Sequence, residues 1–127
     1  MRLLVDTSVI IDFLRRKDKG NTTLFKISTE DLYVSIVTHT EIYSGKSVWE
    51  HEKARQEVET VFSNIKILPL ELETSEQAGK IKAYNYDRSI LDCIIAATSI
   101  QQGLELVTLN LKDFKKIRGL KLARITS

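Results

Sequence analysis

What is scarce in this chain narrows its function before anything else does. It holds one cysteine, Cys93, so no internal disulfide can form and no multi-cysteine metal cluster is available. Its two histidines, His39 and His51, stand apart without zinc-ligand company. One proline, Pro69, and five glycines leave no linker tract. There is no glycine-rich phosphate loop and no serine in a nucleophile-elbow pattern. No run approaches the roughly eighteen apolar residues that would span a membrane. The apolar stretch after Met1-Arg2 is too short for a secretory leader. The expectation is a single domain over residues 1–127, cytoplasmic and without membrane association.

Charge of one sign is also scarce overall, with a net of +2, but it is unevenly placed. Lys112, Lys115, Lys116, Arg118, Lys121 and Arg124 face only Asp113 in the C-terminal segment. Arg15, Arg16, Lys17 and Lys19 cluster around Asp18. Basic clusters can hold phosphates, although either one alone reads first as a solvated face. The stretch from Glu50 to Glu76 is acidic by contrast.

Short apolar runs recur at Leu3–Asp6, Leu32–Ile36, Ile65–Leu70, Leu104–Thr108 and Leu120–Ile125, and read as strands. Helical stretches are expected over Ser8–Arg16, Thr22–Ser28, Thr38–Gly45, Glu50–Phe62, Thr74–Tyr84, Asp87–Gln102 and Asn110–Ile117. Gly103 is placed as a C-terminal stop. This alternation predicts an α/β fold around a mainly parallel sheet. Sites in such folds form beyond the carboxyl ends of the strands, which directs attention to the residues that follow each run.

Asp6 follows the first run, in Asp6-Thr7-Ser8, where it serves equally well as a helix cap or a site residue. Glu41 follows the second, and Thr38-x-x-Glu41 has capping-box spacing, so taken alone it reads as a cap. Asn110 follows the fourth, where capping the last helix is its simplest use, and Asp113 suits the first turn of that helix. Asp92 is the odd one. It sits in ILDCIIAATS, on a helix that is apolar around nearly its whole circumference. An ion pair with Arg88 four residues earlier would be worth only about 0.2–0.5 kcal/mol, in the poorer order of charges. That is weak compensation for an acid in such a run.

Three carboxylates meeting in one cleft would repel one another and resist ionising. Mg²⁺ or Mn²⁺ would resolve that conflict, since both take hard oxygen ligands in small number and share substrate phosphates. Such a site suits hydrolysis of a phosphodiester. A phosphoacceptor signalling domain on a similar sheet would need an Asp after the third strand, where Ile67-Leu68-Pro69-Leu70-Glu71 offers only a late Glu71.

Four pieces in order carry a family resemblance: LLVDTSVIIDFL at 3–14, SIVTHTEIYSG at 35–45, DCIIAATSIQQG at 92–103 and LVTLNLKDF at 106–114. The chain resembles the PIN-domain ribonucleases, and within them the VapC toxins of type II toxin–antitoxin pairs. The resemblance implies a three-layer α/β/α fold with a central parallel sheet. It implies Mg²⁺ or Mn²⁺ held by Asp6, Glu41 and Asp92, with Asn110 at a fourth catalytic position that is often Asp in the family. It implies support of the acids by Thr7, Ser8 and Thr108; Asp12 also falls on a common family position, where a supporting or a structural role is expected. The activity implied is endonucleolytic cleavage of RNA such as tRNA or rRNA, leaving 5′-phosphate and 3′-hydroxyl ends. The implied partners are a second copy of the chain and a small VapB-type antitoxin. A PIN protein that processes or binds RNA without being a toxin is the alternative.

Overall fold

Sorting of apolar side chains onto two sides of a small sheet organises this molecule. The computed structural model describes residues 1–125, which form β1 (Arg2–Val5), α1 (Thr7–Arg15), α2 (Thr23–Lys26), β2 (Asp31–Ser35), α3 (Ile36–Tyr43), α4 (Lys46–Glu50), α5 (Glu52–Phe62), β3 (Lys66–Leu68), α6 (Leu72–Tyr84), α7 (Ile90–Gln102), β4 (Glu105–Val107) and α8 (Leu111–Phe114). A single 3₁₀ turn, Lys19–Asn21, leads into α2. The four strands are all parallel, in the order β3-β2-β1-β4.

Successive strand residues point to opposite faces. Leu3, Val5, Leu32, Val34 and Val107 enter a core with Val9, Ile10, Leu24, Val58 and Phe62, from α1, α2 and α5. Leu4, Tyr33 and Leu106 enter a second core with Ala78, Ile81, Ile95, Ala96 and Phe114, from α6, α7 and α8. Both faces of the sheet are covered, as a parallel sheet requires. The expected three-layer α/β/α architecture is therefore the one observed.

Some expected elements differ. The run Leu120–Ile125 does not form a fifth strand. It makes one parallel bridge, Leu106 to Leu122, with Leu106 N–H donating to the Lys121 carbonyl and Ala123 N–H to the Leu106 carbonyl. A three-residue β4 offers little ladder to extend against. α3 starts at Ile36, immediately after β2, because Ser35 caps it through Val37 N–H at 3.2 Å. The stretch Glu50–Phe62 is divided, with α4 ending at Glu50 and α5 starting at Glu52. α7 starts at Ile90, capped by Ser89 through Asp92 N–H at 3.1 Å, and ends at Gly103 with φ +64°.

Candidate active site

β1 lies between β2 and β4, so the connections leaving it and returning to it run to opposite sides. That reversal of strand order opens a crevice at the carboxyl ends of β1 and β4. Asp6 leaves β1 there, and its N–H donates to the Val107 carbonyl of β4 at 2.9 Å. A cleft of about 470 Å³ occupies the crevice, lined by Asp6, Thr7, Ser8, Glu41, Asp92 and Asn110, with Ile11, Asp12 and Arg15. Residues from four separate stretches of the chain thus share one cleft.

Asp6 is only 3% exposed. It stands at the N-cap position of α1, yet its side chain makes no capping bond. Its Oδ2 accepts from Ser8 Oγ and from Thr108 Oγ1, each at 2.7 Å. Those hydroxyls accept in turn from the β4–α8 turn, Ser8 from Leu109 N–H at 3.1 Å and Thr108 from Asn110 N–H at 2.9 Å. Two charge-assisted bonds thus fix one oxygen of Asp6. The other oxygen takes no hydrogen bond among the described residues.

Glu41 is not a capping-box residue. Ser35 holds the cap of α3, which places Thr38 inside the helix, fully buried. Thr7 Oγ1 lies 2.8 Å from Glu41 Oε1 and 3.0 Å from Thr38 Oγ1. A hydroxyl has one proton to give, and the charged carboxylate is the stronger acceptor. Thr7 therefore steadies Glu41, and Thr38 steadies Thr7.

Asp92 lies in the first turn of α7, half-buried. Arg88 does not pair with it; its guanidinium turns to Asp87 at 3.4 Å, and its Nε is buried without a partner. Lys82 Nζ donates to the Tyr86 and Arg88 carbonyls, which holds the loop leading into α7. Burial pushes the Asp92 carboxyl above the usual carboxylate range. Hydrogen bonding by Ser89 opposes that shift, while repulsion from Asp6, Asp113 and Glu41 reinforces it. Asn110 begins α8, but its side chain does not cap the helix either; only its backbone carbonyl accepts, from Asp113 N–H at 3.0 Å.

The donor set is all oxygen, three carboxylates and one amide, which suits a hard divalent cation. Among the described residues no three acidic, histidine or cysteine side chains already stand close enough together to hold an ion. The carboxylates thus share a cleft without forming such a cluster.

Two further charged residues line the cleft, Asp12, expected above in a supporting or structural role, and Arg15. Asp12 lines the cleft and meets Arg16 at 3.8 Å. Arg15, assigned above to a solvated cluster, also lines it. The signal was present in the spacing: Ser8, Ile11, Asp12 and Arg15 share one face of α1. None of the six basic residues from Lys112 to Arg124 lines this cleft. Lys116 and Arg118 border a different cavity with Lys80 and Tyr84 of α6. Glu71 lies beside Gln101 and Gln102, outside the carboxylate cleft.

The PIN domain family model matches residues 3–120. The chain is 33% identical to Ribonuclease VapC1 of Rickettsia felis, with 100% of this chain and 98% of that protein covered. It is 24% identical to the tRNA(fMet)-specific endonuclease VapC of Salmonella typhimurium, covering 96% of each. Its fold matches a chain of the DNA-bound VapBC complex of Salmonella typhimurium with a TM-score of 0.82, at 23% identity and 97% coverage of both chains. A chain of VapBC2 from Rickettsia felis, bound to a promoter DNA fragment, matches with a TM-score of 0.80, at 18% identity, covering 99% of this chain and 100% of that one. With motif order, sheet topology and full-length similarity in agreement, the chain belongs to the PIN-domain family, among its VapC-type members.

Proposed function

We propose that this protein is a divalent-metal-dependent endoribonuclease, the toxin of a VapBC-type pair. The observation that carries the reading is the convergence of Asp6, Glu41, Asp92 and Asn110 on one cleft at the β1/β4 crevice. Asp6, Glu41 and Asp92 would hold the cation, and the Asn110 amide oxygen would orient a water. Mg²⁺ or Mn²⁺ bound there supplies Lewis acidity toward a phosphodiester and neutralises the crowded acids. The chain's own part is positioning: Ser8 and Thr108 fix Asp6 Oδ2, and Thr7 fixes Glu41. Water attacking phosphorus in line, with departure of the 3′ oxygen, leaves a 5′-phosphate and a 3′-hydroxyl. One amide in place of a fourth acid lowers the charge of the site and favours fewer bound ions.

The names of the relatives support RNA as the substrate, with tRNA the first class to test. The matching VapBC complexes support a small antitoxin as partner. A homodimer in the cytoplasm completes the reading. The test is cleavage of total RNA by the pure protein with Mg²⁺ or Mn²⁺, with ends mapped. Cleavage that stops in chelator and in Asp92→Asn protein is the expected result. Undiminished cleavage by Asp92→Asn, or 2′,3′-cyclic ends, would overturn it. Slowed growth on expression, relieved by a co-expressed antitoxin, separates a toxin from an RNA-processing enzyme.

A further inference from the structure

Arg15 occupies a position that the carboxylate chemistry does not use. It lines the acidic cleft and also a second cavity of about 330 Å³ that adjoins it. The two share Ile11, Arg15 and Glu41, so Arg15 stands at their junction. The second cavity lies between α1, α3, α4 and α5; Leu14, Ile42, Val48 and Val58 give it apolar walls, and Glu41, Glu57, Ser44 and Ser47 also line it.

The charges around Arg15 are unbalanced in an informative way. Asp6, Asp12, Glu41 and Asp92 line the cleft, and Arg15 is the one cation among its lining residues. Asp12, the acid nearest to it in sequence on that helix face, meets Arg16 instead. Among the described residues, the Arg15 guanidinium makes no ion pair and no hydrogen bond. A guanidinium is a planar fork of donors that matches two oxygens of a phosphate. A polyanion entering a cleft of four acids needs such an anchor beside any metal. A cavity with aliphatic walls next to that anchor offers apolar contact to a nucleobase.

We propose that Arg15 binds the RNA phosphate adjacent to the one that is cleaved, with the flanking base seated in the cavity between α1 and α5. This rests on the nuclease reading and adds to it a substrate-binding residue and a subsite. One lost phosphate contact of this kind weakens binding by about ten- to a hundredfold.

The experiment compares wild type, Arg15→Ala and Arg15→Lys, all exposed-site changes whose folding is checked by circular dichroism. Cleavage of a short RNA is followed with Mn²⁺, and binding of the same fluorescein-labelled RNA is followed by anisotropy in chelator. For Arg15→Ala, KM and Kd should rise about ten- to a hundredfold while kcat stays near wild type. The slope of log Kd against log salt should fall by about 0.7, one single-strand phosphate contact. Arg15→Lys should recover part of the loss. Unchanged KM, Kd and salt slope in Arg15→Ala, beside a wild type that cleaves, would overturn the role of Arg15 and leave the nuclease reading standing. Arg15-dependent binding without cleavage would overturn the nuclease reading and support the phosphate contact. A wild type that neither binds nor cleaves RNA would overturn both.

Discussion

Asp92 is an acid held where its ionisation is costly to the fold. Its carboxyl is raised by burial and by neighbouring acids. A group whose pKa is raised on folding contributes stability that is complete below its unfolded pKa and is lost as pH rises through the folded value. Ionised Asp92 therefore weakens the fold at neutral pH when no cation is present. Asp92→Asn in chelator should melt at a higher temperature than wild type near pH 7, and the gap should close as pH falls below the ordinary carboxylate range. Thermal melts across that pH series check it, and equal melting at pH 7 would remove burial and repulsion as the cause. The sequence exposed this residue because an acid in an apolar helix needs a reason. It misplaced the reason for Glu41, because Ser35 and Thr38 are both good caps and only the three-dimensional packing chose Ser35.

At the scale of elements, α7 was legible because nearly all its faces are apolar, and six of its residues are buried. Its stop at Gly103 was legible for a different reason, the left-handed backbone that glycine adopts freely. A Cβ at Gly103 would meet nothing within 4 Å, so substitution costs only the backbone conformation. Gly103→Ala should lower stability by about 1–2 kcal/mol, read as a shift in the urea midpoint with an unchanged slope. A near-zero shift would mean that the turn relaxes without the left-handed residue. Leu120–Ile125 shows the opposite lesson. Its apolar alternation reads as a strand, yet strand formation needs a partner edge, and β4 gives it a single bridge.

At the scale of the whole molecule, the order β3-β2-β1-β4 creates the site by putting the ends of β1 and β4 side by side. Four acids then line one cleft, and two of them, Asp6 and Glu41, help to raise the Asp92 carboxyl. Mg²⁺ or Mn²⁺ should therefore raise the melting temperature of wild type, by the equivalent of about 2.7 kcal/mol at a hundredfold excess over Kd. Asp6→Ala should lose most of that response, and calorimetry with and without chelator measures it. An equal response in the variant would place the cation elsewhere. The sequence by itself determined the alternation of strands and helices and the α/β class, and it marked Asp92, because apolar periodicity and an acid in an apolar run are local signals; Asp6 and Glu41 joined Asp92 only when the three were read together and beside the family resemblance. Only the tertiary structure decided that Thr7 serves Glu41, that Ser8 and Thr108 share one oxygen of Asp6, and that Arg15 joins two cavities. Those contacts join residues up to about a hundred positions apart, and no local pattern encodes which strand ends a parallel sheet brings together.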